Sequence, residues 1–295
     1  MPSRNLAIQI VFLSQTVVGV IGNASLLHHL YLYFTGCRLR ATDLILKHLI
    51  VANFLVLFSI GVPQTMAALG WKHFHSDYGC KLLYYYHGVG RGMSMATTCL
   101  LSVFQATTIS PGNSRWADLK GKAPKYIRIS ISLCWLVYML VNIDFLMHVT
   151  SKWRNDTTEK KKYLRYCYSK LHDNIVSSLQ AALLSFPDVL CLGLMLWASS
   201  SLVSILSRHK QRVRHIHRTN HSPRASPESR ATRTILALVS TFVSFYTLSS
   251  ILQVCITLSD NPSWWLVDMA AMFVACFPAV SPFVLMNRGS RLCLS

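Results

Sequence analysis

Seven apolar stretches punctuate this chain, at about residues 6–34, 44–69, 81–108, 127–149, 175–206, 232–258 and 264–285. Each meets the roughly 20 residues that a helix needs to cross a hydrocarbon core. Inside lipid no water is available to bond a bare backbone. A spanning segment must therefore close its own hydrogen bonds, which a helix does within itself. The pattern predicts an all-α membrane protein, a seven-transmembrane helix bundle that forms one domain over residues 1–295.

Composition removes the soluble alternative. Charged residues make up 14% and hydrophobic ones 52%, whereas soluble domains carry roughly 25% charge to cover their surface. The net charge of +18 has the sign of a nucleic-acid binder. Here, however, the basic residues lie between apolar runs, which fits loops held against an anionic leaflet. The lipid bilayer is the expected partner and nucleic acid is not. Only Arg4 precedes the first run, and that run is too long for a signal-peptide core, so the first span is expected to act as its own insertion signal.

Orientation follows from Lys and Arg. With the N-terminus outside, inner segments hold 18 of them and outer segments 10, with Arg91 inside a span. The bias predicts an extracellular N-terminus and a cytoplasmic C-terminus. It is diluted by the basic outer loop between spans four and five, which carries Lys152, Arg154, Lys160, Lys161, Lys162, Arg165 and Lys170. The third inner loop, 207–231, is rich in Arg, His, Ser and Pro and reads as flexible and solvated. It could dock a cytoplasmic partner or act only as a positive anchor, with equal weight on each.

Topology sorts the nine cysteines. Cys37 and Cys293 face the cytosol; Cys99, Cys134, Cys191, Cys255 and Cys276 fall inside spans. That leaves Cys80 and Cys167 on the oxidising side. Their expected disulfide pins the second outer loop over the bundle mouth; the alternative is two unpaired thiols. The same sorting acts on the sequons that begin at Asn23, Asn155 and Asn220. Only Asn155 faces the lumen, so glycosylation is expected there.

Ionisable groups inside a bilayer are costly and mark function or a paired structural role. Arg91 lies eleven residues after Cys80, about 16 Å down a helix. His87 and Tyr84 precede it at helical spacing and share its face. Asp188 follows Pro187 in span five, Asp144 lies near the outer end of span four, and Asp268 lies near the outer end of span seven. Tyr84, His87 and Arg91 are expected to line a ligand cavity, with Asp188 or Asp268 as counter-charge. A purely structural ion pair is the alternative of equal weight. Asn23 and Asn53, in mid-span, are expected to hydrogen-bond across helices, and Trp135 to hold the bundle by packing. Trp264 and Trp265 fit an interfacial belt.

Catalytic patterns are absent from the sequence. It contains no G-x-S-x-G, no H-E-x-x-H, no phosphate-binding loop and no zinc spacing. No enzyme activity, cofactor or metal is expected. A transporter would need paired half-bundles and coupling carboxylates; an odd span count and few membrane acids argue against one.

Several blocks carry a resemblance. TGCRLRATDLILKHLIVAN (35–53), LLSVFQATTISPGNSRWADLK (100–120), LLSFPDVLCLGLMLWASSS (183–201), SPRASPESRAT (222–232) and FPAVSPFVLM (277–286) are similar to vomeronasal type 1 receptors, and the likeness covers essentially the whole chain. It implies a rhodopsin-like bundle, a chemosensory role at the plasma membrane and coupling to a heterotrimeric G protein. The ligand it implies is small and pheromone-like, entering between the outer ends of spans three, five, six and seven. It also implies the Cys80–Cys167 bridge and a glycan at Asn155. Asn23, Trp135, Pro187 and Pro282 match positions of the wider rhodopsin-like pattern. Other positions depart from it: Phe104-Gln105-Ala106 stands where Asp-Arg-Tyr is usual, Asn53 where an aspartate is usual, and Ser281-Pro282 where Asn-Pro-x-x-Tyr is usual. No Trp-x-Pro occurs near 242–248. These departures resemble those of vomeronasal receptors and remove a sodium site and the common activation switches from the expectation. After Met286 only NRGSRLCLS follows, shorter than the resemblance implies. A vestigial, non-signalling receptor is therefore the second reading.

Overall fold

Hydropathy marks the slab of hydrocarbon, whereas backbone hydrogen bonding decides how far each helix runs. The computed structural model describes residues 2–34, 41–68, 76–109, 114–143, 146–147, 149–150, 161–164, 167–170, 174–216, 227–258 and 263–286. They contain seven long helices: α1 (Pro2–Phe34), α2 (Ala41–Ala68), α3 (Asp77–Ile109), α4 (Ser114–Val141), α5 (Asn174–Ile216), α6 (Pro227–Leu258) and α7 (Trp264–Met286).

Several ends differ from the expected spans. α5 continues to Ile216 and α6 begins at Pro227, so residues 207–216 and 227–231 of the expected flexible loop are helical. Positions 217–226 lie outside the described residues. Once a helix is nucleated in lipid, each added residue gains a bond, and Arg, Lys and Gln lose little side-chain freedom in it. α4 starts at Ser114 for the same reason. It stops at Val141 rather than at 149. There Asn142 Nδ2 donates to the Tyr138 carbonyl at 2.7 Å, and the chain turns at Asn142 and Ile143.

Val149, expected to close span four, instead opens a small sheet that the hydropathy pattern does not foretell. β1 (Val149–Thr150), β2 (Lys161–Leu164) and β3 (Cys167–Lys170) pair antiparallel in the order β1-β3-β2. A disulfide joins Cys80, in the first turn of α3, to Cys167, the first residue of β3, with Cα atoms 5.9 Å apart. Cys80, Cys167 and Val149 form a buried cluster, and Tyr84 packs against it. The bridge thus fastens the sheet to the outer end of α3.

α3 is the central helix. It packs against α2, α4, α5, α6 and β1, while α1 leans on α2 and α7, and α7 on α6. This position explains a difference in composition. Five helices contain stretches long and apolar enough to cross a membrane: Ile10–Leu32, Ala41–Pro63, Pro124–Val141, Phe186–Ile205 and Trp265–Met286. α3 is not among them because its neighbours are mainly protein, so its polar side chains meet partners instead of lipid. Thr97 donates to the Met93 carbonyl, Thr98 to that of Ser94 and Ser102 to that of Thr98, each satisfied within its own helix.

The rest of the bundle turns apolar side chains outward and buries polar ones within a largely apolar core. Leu133, Leu136 and Leu140 on α4 and Val189, Leu190 and Leu194 on α5 are exposed. Asn23, Asn53, Ser94, Thr97 and Asp188 are buried. A soluble surface of this kind would aggregate; lipid selects it. The protein is a membrane protein with the seven-helix bundle expected of it.

Candidate functional site

Close approach of α3 and α4 sets the back wall of the site. A Cβ placed on Gly92 would overlap the Tyr138 ring, so only glycine lets that ring lie on α3. Tyr138 is buried there, and its hydroxyl donates to Asp188 Oδ1 at 3.4 Å, a long and weak bond. Asp188 follows Pro187 inside α5. Its other oxygen, Oδ2, accepts from Arg91 Nη2 at 2.6 Å and from the Tyr246 hydroxyl.

Tyr246 closes the cluster from α6. Its hydroxyl accepts a second Arg91 Nη2 hydrogen at 2.8 Å, and Arg91 Cζ lies 4.9 Å from its ring centroid, within cation–π reach. One guanidinium therefore ties α3 to α5 and α6. The two charged partners are unequally covered: the Arg91 side chain is 36% exposed and that of Asp188 9%. The carboxylate is enclosed, while the guanidinium keeps an open side.

That open side borders a small cleft of about 30 Å³ between α2, α3, α6 and α7, partly open to its surroundings. Val56, Arg91 and Ser94 form one wall, and aromatic residues of α6 and α7 the other. Phe242 stacks on Tyr246 at 5.7 Å and meets Phe277 edge-on at 4.6 Å; Phe245 lies 6.5 Å from Phe273. The spacings 242–245–246 and 273–277 put these rings on facing helical stripes. α5 supplies the counter-charge from behind Arg91 but contributes no described residue to the lining.

A second polar cluster is buried beside the cleft and shares Ser94 and Pro278 with its lining. Asn53 Nδ2 donates to Asn23 Oδ1 and to Ser281 Oγ, each at 3.0 Å, and Ser94 Oγ donates to Asn53 Oδ1 at 3.3 Å. Asn23 Nδ2 donates to the carbonyls of Gly19 at 2.8 Å and Pro278 at 2.9 Å. The Pro278 carbonyl has no helical partner, because the residue four positions on is Pro282, which lacks an N–H. Asn23 supplies the missing donor from α1. The network joins α1, α2, α3 and α7 without a charge.

The remaining candidates scatter. His87 Nδ1 lies 3.3 Å from Ser59 Oγ of α2 and Tyr84 lies against the disulfide; neither lines the cleft. Asp188, not Asp268, is bonded to Arg91; Asp268 is buried on α7. Trp135 Nε1 donates to His48 Nδ1 at 3.2 Å, so it joins α4 to α2 by a hydrogen bond as well as by packing. Asn155, Cys37, Cys293 and Asp144 lie outside the described residues. Tyr138, Tyr246, Phe242 and Phe277 are not singled out by the sequence reading. The available signal is a tyrosine in an apolar run, since its hydroxyl needs a partner in lipid. Among the described residues no group of three His, Cys, Asp or Glu is placed to share a metal ion.

The profile of the vomeronasal organ pheromone receptor family matches residues 6–294. Among similar proteins, human vomeronasal type-1 receptor 4 is 61% identical over 288 residues, covering 97% of this chain and 95% of that protein. Human vomeronasal type-1 receptor 2 is 57% identical, over 95% of this chain and 72% of its own length. The zebrafish olfactory receptor class A-like protein 1 is 30% identical over 95% of this chain and 89% of its own.

Proposed function

Because the chain belongs to the vomeronasal organ pheromone receptor family, a family of receptors rather than enzymes, we propose that it is a rhodopsin-like chemosensory receptor of the plasma membrane. It takes a small ligand in the cleft beside Arg91 and signals to a heterotrimeric G protein. The observation that carries this reading is the Arg91–Asp188–Tyr246 cluster, which ties three helices together at the edge of an aromatic cleft.

The mechanism needs a ligand whose affinity differs between two arrangements of the helices. A molecule seated between Arg91 and the α6–α7 aromatic wall touches both ends of the Arg91–Tyr246 contact. Any shift of Tyr246 relative to Arg91 moves α6 relative to α3 and α5. α5 and α6 both run on past the expected spans, through 207–216 and from 227, and their basic inner ends flank the segment where a G protein would dock.

The test is a panel of volatile and steroid-like compounds on the surface-expressed chain, read by calcium or cyclic AMP. A response is expected that weakens at least about tenfold, as when one charged hydrogen bond is lost, in Arg91→Gln matched for surface level. Unchanged potency in that variant and in Phe277→Ala would remove the cleft. A tagged chain that stays in the endoplasmic reticulum and drives no G protein would return the protein to the vestigial reading.

A further inference from the structure

The donors left unused in the cleft specify what enters it. Arg91 spends both hydrogens of Nη2, on Asp188 and Tyr246, and its Nε and Nη1 groups make no hydrogen bond to a described residue. The other polar groups of the lining already donate. Tyr246 gives its hydrogen to Asp188, Ser94 to Asn53, and Ser249 to the Tyr246 carbonyl at 2.9 Å. A ligand in this cleft therefore meets one strong donor, the free edge of a guanidinium, set in a wall that is otherwise apolar and aromatic.

Charge narrows the choice further. Arg91 and Asp188 cancel, and no other described residue of the lining carries a charge at neutral pH. A carboxylate or sulfate at Arg91 would put two anions on one guanidinium in a medium of low dielectric, an arrangement that disfavours ionisation. An ammonium would face Arg91 directly. A neutral acceptor disturbs neither partner.

We infer that the ligand is an uncharged, apolar molecule bearing a carbonyl-type acceptor at one end, held by the Nε and Nη1 edge of Arg91 while its body lies against Phe242, Phe273 and Phe277. This rests on the cleft being the ligand site. A ketone, aldehyde or ester meets the description; carboxylic acids, sulfates and amines do not. Asp188 acts as a specificity residue without touching the ligand, because it sets the charge that Arg91 presents.

Four probes with one skeleton separate the heads: acetylnaphthalene, ethylnaphthalene, naphthoate and naphthylmethylammonium. Binding is read on the purified full-length receptor in nanodiscs by ligand-induced protection against heat, with no G protein present. The ketone is expected to bind at least about tenfold tighter than the other three, the effect of one hydrogen bond to a charged donor. In Asp188→Asn the site gains a positive charge, and naphthoate is expected to overtake the ketone. Tyr246→Phe keeps the charge balance, so although affinity for all four is expected to change, the ketone is expected to stay ahead of naphthoate; loss of that lead overturns the inference if Asp188→Asn does not fold. Naphthoate as the tightest wild-type ligand, equal binding of all four, or binding of none overturns the inference. A head-group order without any cellular response removes the signalling reading alone. A cellular response with no head-group order removes only this inference.

Discussion

Two polar clusters occupy the interior of this bundle, and they solve the same problem differently. The Asn23–Asn53–Ser281 network is neutral and sealed, and each asparagine amide hydrogen has an acceptor within 3.0 Å of its nitrogen. The Arg91–Asp188–Tyr246 cluster is charged, opens on a cleft and leaves guanidinium N–H groups with no acceptor among the described residues. A sealed neutral network can do little beyond holding helices in register. A charged cluster with one open side is poised to exchange a partner. On the proposed reading, polarity inside a membrane is not itself the mark of a binding site; donors with no described acceptor beside open space are.

The largest expected effect tests the charged cluster. Arg91→Met leaves the enclosed Asp188 carboxylate without its cation and is expected to cost about 3 kcal/mol, the low end for a broken buried pair because Arg91 is partly exposed. Asp188→Asn leaves the charge on the more exposed partner and should cost clearly less. Thermal unfolding of both receptors in detergent gives the order. Equal losses would mean that the two charges are equally covered, and the asymmetry on which the open side rests would be gone.

Next in size is Gly92→Val. The added side chain must displace the Tyr138 ring and is expected to cost about 2 kcal/mol by overpacking, measured in the same assay. Because Tyr138 backs Asp188, ligand potency should fall with stability. A stable Gly92→Val receptor with full potency would show that the back wall does not position the carboxylate.

Asn53→Leu probes the sealed network. It removes the hub of three hydrogen bonds, and at the roughly 0.6 kcal/mol average of such bonds within a membrane it should cost about 1.8 kcal/mol. Asn53 is not part of the cleft lining, so potency in a cell response, corrected for surface level, is expected to move little. A loss of potency larger than the loss of stability would merge the two clusters into one functional unit.

Much of this division is legible in the sequence, though not which residues complete it. Arg91 and Asp188 stand out because a charge in an apolar run has few innocent explanations. Asn23 and Asn53 stand out for the same reason in milder form. Helical spacing correctly puts Tyr84, His87 and Arg91 on one stripe of α3, but the stripe does not face one environment. α3 is ringed by protein, so each turn meets a different neighbour: the disulfide at Tyr84, Ser59 at His87 and the α5–α6 pair at Arg91. Tyr138 and Tyr246 escape notice because a tyrosine in an apolar span looks the same whether its hydroxyl reaches the headgroups or a buried aspartate. The β2–β3 hairpin, rich in Lys and Tyr, carries no apolar alternation to announce it.

The smallest expected effect falls where the two clusters touch. Ser94 lines the cleft and donates to Asn53, and Pro278 lines the same cleft while its carbonyl accepts from Asn23. The Ser94 bond is long at 3.3 Å, so Ser94→Ala should cost no more than about 0.6 kcal/mol. If the clusters act independently, the double variant Ser94→Ala/Tyr246→Phe will shift potency by the sum of the single shifts, within about 0.5 kcal/mol. A larger deviation would mean that the neutral network senses the occupant of the cleft. Ser94 would then be the physical link, since a hydroxyl is the smallest group that can touch a ligand on one side and the helix-locking asparagine on the other.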